Sequence, residues 1–294
     1  MKYLSLFSGI GGFELGIQRA NDNSECVGFS EINKYAIQIY NKHFPNHKNY
    51  EDITKINAST LPNFELLCGG FPCQSFSVAG KRKGFDDTRG TMFFEIARII
   101  KEKQPRLLLL ENVKGLLSHN KGDTFFTIIS TLDELGYDCQ WQVLNSKNHG
   151  VPQNRERVFI VGHLRGTSRP EVFPLGEAND ESTNEVYISE INQLNKPKHS
   201  NDRVYGTDGV SPTLNTMQGG NRQPFIKEDS KIRRLTPTEC ERLQGFPDNW
   251  TDGISDTQRY KCLGNAVTVN IIETIMKNIN VTITNKHVTR NNKT

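Results

Sequence analysis

At 294 residues the chain exceeds the usual length of one domain, so one large domain with a smaller companion is the first expectation. With 35% hydrophobic residues and a mean hydropathy of -0.57 it is polar throughout, and no apolar run approaches the about 18 residues of a membrane helix. A net charge of +3 is too small to name a nucleic-acid partner, and six scattered cysteines with no C-x-x-C pair speak against a disulfide scaffold or a zinc site.

Met1-Lys2-Tyr3-Leu4-Ser5 runs straight into a strand, unlike a signal peptide, and a cytoplasmic protein is expected. Short apolar runs predict strands at Tyr3–Phe7, Glu25–Phe29, Glu65–Cys68, Arg106–Glu111, Cys139–Leu144 and Val158–Gly162. Helical periodicity predicts Phe13–Arg19, Lys34–His43, Thr91–Glu102 and Thr124–Leu135 between them. That alternation implies an α/β domain with a mostly parallel sheet covered on both faces. From about Gly166 to Ile232 prolines and the pair Gly219-Gly220 break up a polar stretch, too long for a linker and better read as a small irregular domain. Helices are predicted again at Thr236–Leu243 and Val267–Met276, followed by a frayed tail from Lys286. The expected division is 1–165, 166–232 and 233–294, the last part returning to the first domain.

Residues 196–234 carry eight Lys/Arg against four Asp/Glu, whereas residues 1–65 carry six against seven. A phosphate-facing surface and a solvated loop region both fit this asymmetry.

Three places carry chemistry. Phe7-Ser8-Gly9-Ile10-Gly11-Gly12-Phe13 follows a strand and opens a helix, where glycines let backbone approach a ligand. Glu14 stands where a nicotinamide fingerprint needs glycine. Ser30-Glu31-Ile32 puts an acid at the next strand end, suited to a ribose hydroxyl pair or to capping a helix. Cys68-Gly69-Gly70-Phe71-Pro72-Cys73-Gln74-Ser75-Phe76-Ser77 also lies at a strand end, and its Pro-Cys turn suits a thiolate nucleophile projected into a cleft. A free thiol titrates near ~8.5, so positive charge or a donor near Cys73 is expected.

This set of motifs resembles the cytosine-C5 DNA methyltransferase family of bacteria and phages, over nearly the whole chain outside 166–232. Lys81 to Glu95 resembles the loop that closes over a flipped-out cytosine, and Glu111-Asn112-Val113 the motif whose glutamate grips the base. Gln153-Asn154-Arg155-Glu156-Arg157 resembles the Gln-x-Arg-x-Arg motif, with Arg157 at the base O2 and the thiol and Arg155 in support. Arg234 to Pro247 resembles the motif organising the recognition domain, and Leu263-Gly264-Asn265-Ala266-Val267 the last motif, which completes the cofactor pocket. Ser211-Pro212-Thr213-Leu214 and Gly219-Gly220 resemble the family's Thr-Leu element and glycine-rich loop. Two departures are the small Ile32 beside the expected adenine and the short segment 166–232, which implies a short target site.

The resemblance implies a Rossmann-like sheet of the S-adenosylmethionine-dependent methyltransferase fold with a smaller target-recognition domain. It implies transfer of a methyl group from S-adenosyl-L-methionine to C5 of a cytosine rotated out of double-stranded DNA. Catalytic roles fall to Cys73, Glu111, Arg155 and Arg157. Cofactor contacts fall to Phe7, Gly9, Ile10, Gly11, Gly12, Glu31, Ile32, Asp52, Ile53, Pro72, Met92, Asn265 and Val267. DNA contacts fall to Gln74, Ser75, Ser77, Ala79, Lys81, Arg82, Arg89, Thr213, Leu214, Gly219, Gly220 and Arg222. The expected protein is a monomer without metal or membrane association, paired in function with a cognate restriction endonuclease that it does not stably bind. A tRNA cytosine methyltransferase of the same fold and a DNA-binding protein that has lost catalysis are the alternatives. The first lacks its Cys-Phe-Thr element here, and the second would not need Cys73, Glu111, Arg155 and Arg157 together.

Overall fold

The computed structural model describes residues 1–72, 92–169, 171–176, 191–196, 202–216 and 223–291, with backbone alone for 281–291. The first unit begins β1 (Lys2–Leu6), α1 (Gly12–Ala20), β2 (Glu25–Ser30), α2 (Lys34–His43) and β3 (Leu66–Gly70). It continues α3 (Met92–Lys103), β4 (Leu107–Val113), α4 (Asp123–Glu134), β5 (Tyr137–Asn145), β6 (Gln153–Asn154) and β7 (Glu156–Leu164). Six strands form one sheet in the order β2-β1-β3-β4-β7-β5. The first four are mutually parallel, and β7 runs antiparallel to both its neighbours. Central strands are apolar on both faces, as burial between two helical layers demands: Leu107 to Leu110 of β4 are all fully buried. Helix α3 turns Phe93, Ile96, Ala97, Ile99 and Ile100 inward, with Phe93 fully buried where the sequence periodicity points to Phe94. The expected mostly parallel α/β sheet is therefore found, with each predicted strand within two residues of its observed bounds at most ends.

A second, smaller sheet is built from β8 (Val204–Gly206), β10 (Phe225–Glu228) and β11 (Lys231–Arg234). Strand β9 (Ser211–Pro212) instead pairs in parallel with β6, so this part of the chain is tied to the strand entering β7. Then come α5 (Pro237–Leu243), α6 (Asp256–Asn265) and α7 (Val269–Asn291). Helix α5 starts with a reciprocal cap, Thr236 accepting from the Glu239 amide and Glu239 from the Thr236 amide. Helix α7 runs well beyond the predicted Met276. Its buried Ile271, Ile272, Ile275 and Met276 join the core on the α1 side of the sheet. There Gly16 lets the helices touch, since a β-carbon on it would lie 2.6 Å from Ile272. No helix among the described residues is long and apolar enough to cross a membrane.

Glu14 of α1 is fully buried. The Tyr40 hydroxyl donates to its Oε1 at 3.0 Å, while Oε2 finds no donor among the described residues. Tyr3, Cys26 and Cys68 face it with no positive charge, and burial pushes its pKa up to about 7. Between its ordinary 4.5 and about 7 the folded chain holds a proton that the unfolded chain has lost. Stability therefore falls as pH rises through that window. Glu14→Gln keeps the acceptor for Tyr40 and should remove this term. The variant is expected to gain roughly 3 kcal/mol on the wild type between pH 4.5 and 8, read from denaturant melts. A difference between the two proteins that stays constant with pH would show that Glu14 is not the group titrating.

Candidate active site

In an open parallel sheet ligands sit beyond the carboxyl ends of the strands. Four strand ends supply this site. After β1 the backbone turns sharply, with Phe7 at φ 54° and Gly9 at φ 56°. A β-carbon on Gly9 would meet nothing within 4 Å, so the turn opens onto free space that any side chain would enter. Gly11 and Gly12 are the reverse case. Their would-be β-carbons lie 2.5 Å from the Phe44 ring and 2.9 Å from Val267, so these two let α2 and the segment before α7 press on the turn. Trp250 fixes the same turn from below, its indole donating to the Ile10 carbonyl at 2.9 Å while stacking on His43.

From the end of β2, Glu31 closes the turn's far side. One carboxylate oxygen accepts from the Gly9 amide at 2.9 Å and the other from the amides of Ile32 and Asn33. Glu31 is not the cap of α2: that role falls to Asn33, whose side chain accepts from the Tyr35 and Ala36 amides. Ile32 stands 73% exposed beside it, an apolar surface without a protein partner. Asp52 caps a short turn through the Thr54 amide, and the Ile53 side chain enters the core, which leaves Ile53 only its backbone to offer a ligand. Met92 is half-buried at the start of α3, and Asn265 is exposed at the end of α6.

The third and fourth strand ends carry the acid and the base-holding candidates. Glu111, near the end of β4, and Arg157, near the start of β7, form an ion pair of 3.1 Å with side chains 13% and 15% exposed. They meet because β7 is reversed, which brings its first residues beside the last of β4: Val113 pairs with Arg157. Burial pushes the Glu111 carboxyl up, with Arg157 and then Arg155 pulling against it. Gly70, at the end of β3, makes room, since a β-carbon there would lie 2.8 Å from a Glu111 carboxylate oxygen. Next to the pair, Asn112 is buried and donates to the Phe71 carbonyl at 2.8 Å, anchoring the chain just before Pro72. Cys73, Gln74, Ser75, Ser77, Ala79, Lys81, Arg82 and Arg89 lie outside the described residues, as do Gly219, Gly220 and Arg222.

Two expected site residues are buried. Arg155, expected among the catalytic groups, is 1% exposed and spends its guanidinium on three backbone carbonyls, those of Leu214, Gly264 and Ala266. Leu214, expected at DNA, is 1% exposed and packs in the core beside Leu263 and Val269. Thr213 next to it is exposed, with its hydroxyl donating to the Asn154 carbonyl. Sequence reasoning missed Trp250, Asn112 and Gln153. The last two lay inside quoted motifs, but their partners are 41 to 91 residues away in the chain.

The description of the C-5 cytosine-specific DNA methylases matches residues 1–224 and, in a second segment, 176–281. The chain belongs to this family. Among curated DNA methylases it is 36% identical to the Type II methyltransferase M.HhaI of Haemophilus parahaemolyticus, over 95% of this chain and 94% of that protein. It is 41% identical to the Type II methyltransferase M.SsoII of Shigella sonnei, over 95% of this chain and 79% of that one. Among solved structures, the S. pombe Dnmt2 methyltransferase superposes with a TM-score of 0.73 at 21% identity, covering 94% of this chain and 97% of that one. At that identity the likeness speaks for the fold. As a member of this family the chain is a DNA cytosine-C5 methyltransferase, and of the acceptors weighed from sequence DNA stands.

Proposed function

We propose that this DNA methylase uses Cys73 as its nucleophile and the Glu111–Arg157 pair to hold the target base. The observation carrying the proposal is that buried pair, set at the same sheet edge as the open Gly9 turn and beside the Phe71-Pro72 strand end. The cysteines that are described support Cys73 by contrast. Burial pushes Cys26 and Cys139 up to about 12 and Cys262 up to about 11, and it raises Cys68 and Cys240 well above the ordinary thiol range too. None of the five is a thiolate near neutral pH.

In the reaction the Cys73 thiolate forms a bond to C6 of the extruded cytosine, and the electron pair of the C5–C6 bond moves toward N3 and C5. Glu111, favoured in its neutral form by burial, donates at N3, and Arg157 beside it offers its guanidinium to the base oxygen. S-adenosyl-L-methionine, when bound, supplies an electrophilic methyl group on a sulfonium. Loss of the C5 proton to a solvent base, with the N3 proton returning to Glu111, then restores the C5–C6 double bond and expels Cys73 as the thiolate. The residues present fit that cofactor: the Gly9 turn leaves a cradle, Glu31 is held for a ribose, and exposed Ile32 offers an apolar face to adenine. Phe7, Gly11, Gly12, Asp52, Ile53, Pro72, Met92, Asn265 and Val267 complete the proposed lining.

Residues 166–232 are the proposed target-recognition unit, with Thr213, Gly219, Gly220 and Arg222 at DNA. A partner endonuclease that reads the same sequence, and action as a cytoplasmic monomer on duplex DNA, are part of the same proposal. Bisulfite sequencing of plasmid DNA from cells expressing the chain should show full 5-methylcytosine at one short sequence. Unmodified plasmid, with the protein folded and abundant, would sink the proposal.

Trp250 should matter to the cofactor and not to the chemistry. Trp250→Phe keeps the stack on His43 and loses the bond to Ile10, worth about 1 kcal/mol. Titration with S-adenosylhomocysteine should show binding weakened about five-fold, with turnover at saturating cofactor within about two-fold of wild type. A fall in turnover with unchanged binding would place Trp250 elsewhere in the mechanism.

A further inference from the structure

Gln153 and Arg155 are both buried, at 0% and 1% exposure, two residues apart on the stretch that leads into β7. Between them they take both backbone groups of a single residue. The Leu214 amide donates to Gln153 Oε1 at 3.0 Å, and the Leu214 carbonyl accepts from Arg155 Nη1 at 3.1 Å. The other end of each side chain reaches a different part of the fold. Gln153 Nε2 donates to the Leu243 carbonyl at 2.7 Å, and Arg155 Nη2 to the carbonyls of Ala266 at 2.8 Å and Gly264 at 3.1 Å. The Ser211 amide donates to the Pro152 carbonyl, and β6 pairs with β9. From the opposite side Gly264 abuts the same segment, where a β-carbon would lie 2.1 Å from the Asn215 carbonyl oxygen.

This arrangement is costly for mere cohesion. The Arg155 guanidinium is buried on carbonyl dipoles with no carboxylate among its hydrogen-bond partners, and burial pulls its pKa down to about 9. Apolar packing commonly stabilises such a place as well or better, so the charge is retained for a defined geometry. That geometry has a functional neighbour. Arg157, two residues past Arg155, is the partner of Glu111.

We infer that Gln153 and Arg155 are specificity-positioning residues, locking the backbone at Leu214 so that the DNA-reading segment and the Glu111–Arg157 pair move as one body. The inference rests on the function proposed above. A wrong base pair is rejected when the reading segment cannot shift to accommodate it without misplacing the groups at the cytosine. Loosening the lock lets the segment shift, so near-matching sites are methylated too.

The test is bisulfite sequencing of the DNA of a host expressing each variant at matched protein level. Gln153→Met removes the side-chain bonds to Leu214, Leu243 and Gln244 at similar size, and methylation at sites differing by one base pair from the recognised sequence should rise about ten-fold or more relative to the recognised site. Gln153→Glu, kept neutral by burial, retains an acceptor for Leu214 and a donor for Leu243, and should restore wild-type fidelity. Arg155→Lys keeps the charge but cannot serve three carbonyls in one plane, and should relax fidelity as well, giving a second reading should Gln153→Met not fold. Tyr137→Phe is the control for stability alone. It removes a buried bond to the Pro105 carbonyl at the far side of the sheet and should lower the melting temperature without off-site methylation. Unchanged fidelity in both Gln153→Met and Arg155→Lys, or equal relaxation in Tyr137→Phe, overturns the inference. Absence of methylation by the wild type would instead overturn the proposed function itself.

Discussion

Cys73→Ala is expected to abolish the irreversible capture of duplex DNA that carries 5-fluorocytosine in the target position, and to leave S-adenosylhomocysteine binding unchanged. Fluorine at C5 leaves no proton to lose after methyl transfer, so a nucleophile bonded to C6 cannot depart and the complex survives denaturation. No other described cysteine can take over. Cys68, five residues earlier, is fully buried with its thiol toward the Leu4 carbonyl, and its titration is pushed well above the ordinary thiol range. Turnover on ordinary DNA should fall by roughly 10³-fold or more, the scale at which loss of a covalent nucleophile is usually felt. A denaturant-resistant adduct formed by the Ala variant would disprove the assignment. Joint loss of adduct and cofactor binding would point to a structural role for Cys73.

Glu111→Gln should lower turnover by roughly 10²-fold or more while shifting the melting temperature by only a few degrees. The substitution keeps the size of the side chain and so respects the narrow space that Gly70 leaves for it. It removes the proton that a neutral carboxyl can give to N3, and it removes a carboxyl that burial already makes costly to ionise. Arg157 loses its ion pair but remains partly exposed and keeps its bond to the Glu156 carbonyl, so the cost to the fold is limited. The variant should still form the 5-fluorocytosine adduct, only more slowly, because the thiol is intact. Loss of stability in proportion to loss of activity would show instead that the pair mainly holds β4 to β7.

The strands and most helices were legible because apolar runs between two helical layers have little freedom to be anything else. The reversal of β7 was not drawn from sequence, although a signal existed: no α-helix lies between Leu144 and Val158, and a parallel return usually passes through one. Helix α6 was missed because only Arg259, Tyr260, Cys262, Leu263 and Gly264 face inward, a side that mixes polar and small residues with apolar ones. The motif Leu263-Gly264-Asn265, given no secondary structure from sequence, is the last turn of that helix. At the site, Glu31 follows the end of β2, and Glu111 and Arg157 are paired between β4 and β7. Leu214 is buried, and a lone leucine in a polar run is itself a sign of burial. The grip of Gln153 and Arg155 on Leu214 spans some 60 residues of chain, and no local pattern in one sequence records such a pairing.

The contact between α1 and α7 sets the order of events during synthesis. The glycine turn and α1 leave the ribosome first, yet Gly12 and Gly16 are covered by Val267 and Ile272. Until those residues have been made, Gly12 and Gly16 lack that cover and the core on the α1 side of the sheet is incomplete. Translation at about 5 to 20 residues per second thus leaves the nascent chain with an uncovered core face for many seconds. Chains stalled before residue 267 are expected to be substrates for chaperones and proteases.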